Sequence, residues 1–126
     1  MPATQTPAIE PGQLTIVRET DGDSVTLLIR GEIDLASAPD LERELRDAER
    51  SMPRRVVLDL AALEFLDSTA IHLLIDAQHR AATNGHELIL THLPAHADRL
   101  LVLTGVRAWL TIDEPPPPRR LAEASA

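Results

Sequence analysis

Two runs of aliphatic and β-branched residues, Leu14-Thr15-Ile16-Val17 and Val25-Thr26-Leu27-Leu28-Ile29, open the patterned part of the chain, and what separates them restricts every topology that can follow. The intervening Glu19-Thr20-Asp21-Gly22-Asp23 carries an Asp-Gly pair suited to a tight hairpin, so the two strands are expected to pair antiparallel, with Gly31 ending the second. The pattern then changes period. Ser37-Ala38-Pro39-Asp40 reads as a helix start, with Ser37 or Ala38 capping and Pro39 in the first turn. Leu41, Leu45 and Ala48 follow at i, i+4 and i+7 among Glu, Arg and Asp, which predicts a half-buried helix closed by Met52-Pro53.

Strand and helix patterns alternate from there. Arg55-Val56-Val57-Leu58-Asp59-Leu60 is an apolar run of strand length, expected to be buried on both faces. After a short connection, Phe65-Leu66 leads into Asp67-Ser68-Thr69. Apolar positions at 71, 74, 75, 78 and 81/82, with Gln78 the polar exception, make a helical stripe that Asn84-Gly85 should stop. Glu87-Leu88-Ile89-Leu90-Thr91 predicts another strand. Pro94 to Thr104 predicts a third helix, with Leu100, Leu101 and Leu103 inside and Gly105 as its stop, and Leu110-Thr111-Ile112 a last short strand.

A hairpin followed by βα alternation implies an α/β fold with a mixed four- to five-stranded sheet, parallel in its middle, and helices packed on it. Phe65 and Trp109 are the only aromatics, so Leu, Ile, Val and Ala must build the core. With 126 residues the chain is expected to hold one domain, over 13–114. Residues 1–12, with Pro2, Pro7, Pro11 and Gly12, and 115–126, opening on four prolines, read as tails; a proline run continues neither helix nor sheet. No apolar run approaches the roughly 18 residues of a membrane span, and the N-terminus lacks the basic and apolar regions of a secretory signal.

Residue types that are missing remove whole chemistries. There is no cysteine, hence no disulfide, thiolate nucleophile or thiolate metal site. All 12 basic residues are arginine, so a phosphate-loop, Schiff-base or kinase lysine is excluded. A net charge of −8 argues against duplex nucleic acid and anionic membrane surfaces as partners. Most self-contained enzyme chemistries are removed by these absences, and the chain is expected to be no enzyme and to carry no cofactor.

The residues with chemical potential are Asp67-Ser68-Thr69-Ala70, where a strand region hands over to a helix. Helix N-termini present unpaired N–H groups and about half a positive charge. An Asp, Ser or Thr there serves as a cap. Equally, Ser68 sits where a phosphate is well accommodated. Local sequence leaves both readings open.

Val56-Val57-Leu58-Asp59-Leu60 followed by Phe65-Leu66-Asp67-Ser68-Thr69-Ala70-Ile71 resembles the signature of STAS domains, in particular of bacterial anti-sigma factor antagonists. Gly31-Glu32-Ile33-Asp34, Asn84-Gly85 and Leu103-Thr104-Gly105-Val106 resemble further motifs of that family at matching spacing, over about residues 14–113. The resemblance implies a partner-switching protein of the bacterial cytoplasm, without cofactor. Such a protein binds an anti-sigma factor that is also a serine kinase and so frees a sigma factor for transcription in a stress response. It also implies that the kinase phosphorylates Ser68, which breaks the complex, and that a serine phosphatase resets it. Asp34, Asp67, Thr69, His72, Asp76 and His79 are then expected to face the partner. Ala70 stands where the family usually has Gly; its methyl is expected to be tolerated and to bear on how closely a kinase approaches. A second reading keeps the fold and makes the chain a non-switching subunit, for example of an ABC-type lipid transporter.

Other constellations carry less. Asp67, Ser68 and five histidines invite a hydrolase triad, yet the Gly-x-Ser-x-Gly elbow is absent. His72, Asp76 and His79, at i, i+4 and i+7, have a spacing that could hold a metal, but no fourth ligand or supporting shell is evident, and a solvated or partner-facing stripe is expected. Asp34 is either a turn carboxylate or, at the same sheet end as Ser68, part of the partner surface.

Overall fold

The hairpin forms where the Asp-Gly pair predicts it. In the computed structural model, which describes residues 13–113, β1 (Leu14–Asp21) and β2 (Ser24–Ile33) pair antiparallel across Gly22-Asp23, with Gly22 at φ 60°. Both expected tails lie outside the described residues. Three parallel strands follow: β3 (Arg55–Leu66) on β2, β4 (Glu87–Thr91) on β3, and the two-residue β5 (Ile112–Asp113) on β4. The sheet order is β1-β2-β3-β4-β5, with α1 (Ala38–Arg50), α2 (Ser68–Asn84) and α3 (Ala95–Leu103) as crossovers. The mixed α/β sheet is therefore five-stranded among the described residues.

Spatial order follows chain order, so every crossover steps in the same direction, and right-handed connections put all three helices on one face. Burial alternates accordingly. Val25, Leu27 and Ile29 of β2, Val56, Leu58 and Leu60 of β3, and Leu88 and Leu90 of β4 are buried under the helices. Their alternates Thr26, Leu28, Val57, Asp59, Ile89 and Thr91 are only half-buried, which corrects the expectation that β3 is buried on both faces. Leu41, Leu45 and Ala48 of α1 complete the core as their spacing predicts. Arg80 of α2 clamps the two helices by a bidentate pair to Glu49 (2.9 and 3.1 Å).

Four local expectations are revised. β2 does not end at Gly31 but passes through it to Ile33, with Gly31 at φ 105° beside a register slip. β3 is one strand through Leu66, because a bulge absorbs the weakly patterned Ala61-Ala62; Asp59 Oδ1 accepts from the Ala61 N–H (3.1 Å) inside it. Leu103 is 77% exposed, since α3 turns only Ala97 and Leu101 fully inward. The last strand starts at Ile112, because a short 3-10 turn (Arg107–Trp109) takes up the chain before it. The left-handed stop at Gly85 stands, at φ 82°. Neither aromatic enters the core: Phe65 is 46% and Trp109 68% exposed.

Candidate functional site

β2 and β3 run parallel with Ile33 opposite Leu66, so the residues after both strands emerge at one edge of the sheet. The Asp67 N–H donates to the Ile33 carbonyl (3.2 Å), tying the start of α2 to the end of β2. This brings Asp34 and the Asp67-Ser68 pair together at one sheet end.

Backbone geometry decides which residue caps α2. Asp67 is extended (φ −119°, ψ −170°), and its Oδ1 accepts from the N–H groups of Thr69 (2.8 Å) and Ala70 (3.3 Å). Asp67 is therefore the N-cap of α2. Ser68, the first helical residue, is exposed, and its hydroxyl makes no hydrogen bond to any described residue. Two anchored neighbours thus hold an unengaged hydroxyl at the positive end of a 17-residue helix. Urea unfolding should rank Asp67→Ala about 1 kcal/mol below the parent and Ser68→Ala within about 0.5 kcal/mol of it. The reverse order would return the cap to Ser68.

Ala70 is 0% exposed and belongs to the core, so its methyl points inward while Ser68 two residues earlier is exposed. Thr69 is half-buried. His72, Asp76 and His79 are exposed and lie with Ser68 along one stripe of α2 at i, i+4, i+8 and i+11. No group of three His, Asp or Glu able to hold a metal occurs among the described residues.

Asp34 is a turn carboxylate, as one of its two readings expects, and it lies at the same end of the sheet as the start of α2. Its Oδ1 accepts from the N–H groups of Ala36 (3.0 Å) and Ser37 (2.9 Å), and the Ser37 Oγ lies 3.1 Å from it, where the hydroxyl proton is shared with the closer Glu32 carbonyl. The Ser37 N–H is the main cause that holds this carboxyl below its ordinary pKa, with the Ser37 hydroxyl and the Ala36 N–H adding to it against desolvation. Ser37 stands at the N-cap position of α1 but does not cap it; its hydroxyl donates to the Glu32 carbonyl (2.7 Å) and accepts from the Asp34 N–H (3.0 Å). Sequence reading missed this role, for which a buried serine three residues after an aspartate is the available signal. It also missed Leu35, 76% exposed on the same loop, and the exposure of Phe65 just before Asp67.

Comparison with known proteins agrees with this architecture. The family model for the STAS domain matches residues 15–116. The anti-sigma-B factor antagonist of Staphylococcus aureus is 24% identical over 101 residues, 80% of this chain and 94% of that protein. The crystal structure of an anti-sigma factor antagonist from Mycobacterium paratuberculosis superposes with a TM-score of 0.75 at 23% identity, covering 93% of this chain and 98% of the other. SpoIIAA in its unphosphorylated form gives a TM-score of 0.68 at 13% identity over 88% of this chain and 96% of its own. Its phosphorylated form from Bacillus gives 0.63 at 13% identity, over 87% and 99%.

Proposed function

The chain belongs to the STAS domain family, and we propose on that premise that it is an anti-sigma factor antagonist of the bacterial cytoplasm, switched by phosphorylation of Ser68. The observation that carries the reading is the Ser68 hydroxyl: exposed, outside every hydrogen bond of the described residues, and held at a helix N-terminus capped by its neighbour. The relatives support it by name, since those reported above are antagonists and one of them, SpoIIAA, is known in unphosphorylated and phosphorylated forms.

The division of labour follows from composition. A serine hydroxyl needs a base to take its proton, Mg²⁺ and an ATP cradle to present the γ-phosphoryl group. This chain has no lysine and no glycine-rich phosphate loop, so a partner kinase supplies all three. In the transfer the Ser68 Oγ–P bond forms, the bond from the γ-phosphorus to the ADP oxygen breaks, and the Ser68 proton passes to the kinase base. A phosphatase hydrolyses the phosphoserine to restore the hydroxyl. In the unmodified state the α2 stripe of Ser68, His72, Asp76 and His79, flanked by Thr69, Asp67 and Asp34, engages the anti-sigma factor and frees the sigma factor.

Calorimetric titration against each serine-kinase anti-sigma factor of the same genome tests this. One of them should bind, and Asp76→Arg should weaken it by about 0.5–3 kcal/mol, the range of rim and core contacts. Unchanged affinity across His72→Ala, Asp76→Arg and His79→Ala would remove the α2 face from the interface. Binding by none of these factors would overturn the antagonist reading.

A further inference from the structure

β1 forms one edge of the sheet, with β2 on its inner side and no strand on its outer side among the described residues. The two edges differ. β5 has two residues, whereas β1 runs for eight in unbroken register with β2. A long, regular edge invites another strand, and proteins commonly blunt one with proline, lysine or a bulge. β1 has none of the three. Its one cation, Arg18, is drawn off the edge onto α1, where Glu44 (3.4 Å) and Asp47 (2.7 Å) neutralise it. In the middle of the strand Val17 is left 53% exposed.

The hairpin decides which backbone groups face outward. A two-residue turn closes on a hydrogen-bonded pair, here Asp21 with Ser24, and the pattern alternates from there. Thr15, Val17 and Glu19 therefore bond to β2, while Leu14, Ile16, Arg18 and Thr20 direct their N–H and C=O groups away from the sheet. No described residue bonds to those outward groups. A second, antiparallel β1 related by a two-fold axis normal to the sheet pairs outward groups with outward groups whenever the axis passes through a residue position. Charge and overlap select among these registers. Centred on Arg18, the pairing sets that arginine against its own copy. Centred on Glu19, it does the same to Glu19 and puts Val17 opposite the partner's Asp21. Centred on Ile16, the strands overlap only over residues 14–18. Centred on Val17, Leu14 lies opposite the partner's Thr20, Thr15 opposite the partner's Glu19 and Ile16 opposite the partner's Arg18. That register keeps residues 14–20 paired and opposes no like charges.

We propose that β1 is the interface for a second copy of this chain, the two copies joined antiparallel about Val17 into one continuous sheet. On the axis the two valines form a non-hydrogen-bonded pair, with Cα atoms about 4.5 Å apart and β-branched side chains in contact. Val17 is paired with Leu28 inside each copy, so the joined sheet carries an unbroken apolar row across the axis on the face without helices. The outward N–H and C=O groups of Leu14, Ile16, Arg18 and Thr20 all gain partners. Ser68 follows the far end of β3, and the two-fold sends the two Ser68 sites to opposite ends of the joined sheet, where both stay open. The pairing therefore neither needs nor blocks the switch proposed above.

Sedimentation equilibrium of the full chain tests the association. Interfaces of about 1,600 Å² reach µM to pM affinity and one strand edge buries less, so a dissociation constant on the order of 0.1 mM is expected, read between about 10 µM and 1 mM chain. Val17→Lys sets two ammonium groups against each other on the axis and should weaken association about tenfold or more, with circular dichroism showing the fold intact. A cysteine scan tests the register. The chain has no cysteine of its own, so Val17→Cys places its only thiols opposite each other, within reach of a disulfide when oxidised glutathione takes up the two electrons and two protons. Val17→Cys should cross-link to a dimer at least about tenfold faster than Thr15→Cys or Glu19→Cys, each of which faces a different residue of the partner. The scan adds no charge, so it decides the matter even where Val17→Lys fails to fold. A monomer mass that holds to about 1 mM overturns the proposal. Association unchanged in a folded Val17→Lys chain overturns it too, as does cross-linking at equal rates by the three cysteine variants.

Discussion

Phosphorylation of Ser68 is expected to lower affinity for the anti-sigma kinase by about a hundredfold or more while leaving the fold intact. The modification adds roughly −1.5 to −2 charges where a neutral hydroxyl stood. In the free protein that charge sits in solvent at the N-terminus of α2, whose unpaired N–H groups and dipole favour an anion. At a packed interface the same group must be desolvated next to the Asp67 carboxylate. An uncompensated buried charge costs several kcal/mol, and each 1.4 kcal/mol is about tenfold in affinity. Ser68→Ala should bind the partner as the unmodified chain does and resist inactivation, at little cost in stability, since the hydroxyl caps nothing. Ser68→Glu, with one charge and a planar head, should mimic the modified state only in part. Calorimetry of the phosphorylated, unmodified and Ser68→Ala forms, with circular dichroism to check folding, provides the measurement. Equal affinity of phosphorylated and unmodified chains would refute the switch.

Gly31→Ala should be the most damaging single-methyl change in the hairpin, lowering stability by about 3 kcal/mol or more and the melting temperature by more than about 10 °C. Two effects coincide there. Gly31 has φ 105°, a region L side chains rarely adopt, and a Cβ built on it would lie 2.1 Å from the carbonyl oxygen of Gln13. The obstacle is backbone, so no side-chain rotation relieves it. Gly22 supplies the control, with φ 60° but nothing within 4 Å of its Cβ position; Gly22→Ala should cost only about 1–2 kcal/mol. Thermal and urea unfolding of the two variants separate conformational strain from contact. Equal losses would show that the approach of Gln13 is not what reserves position 31 for glycine. Because Gly31 leads directly into Glu32-Ile33-Asp34, the larger loss should also disturb the loop beside Ser68.

What the sequence determined by itself is local and periodic. The Asp-Gly pair set an antiparallel start. The aliphatic runs set the strands, the i, i+4, i+7 spacing of Leu41, Leu45 and Ala48 set the buried face of α1, and Gly85 set the end of α2. These features depend on dihedral preference and side-chain period, which a few neighbouring residues specify. The Asp67-Ser68-Thr69 site was legible as a helix start for the same reason. Tertiary structure decided what depends on residues distant in the chain. Asp67 rather than Ser68 became the cap once its N–H was tied to the Ile33 carbonyl and its own backbone was extended. β3 ran unbroken past Ala61-Ala62 because pairing with β2 supplied hydrogen bonds that local pattern did not announce. Leu103 and Trp109 stayed outside although their hydrophobicity suits a core, because a single-sided sheet of five strands offers α3 and its following turn only a narrow contact, filled by Ala97 and Leu101. Ala70 went inward and Ser68 outward by two residues of helical rotation, and that rotation is fixed by how α2 packs against the sheet and α1.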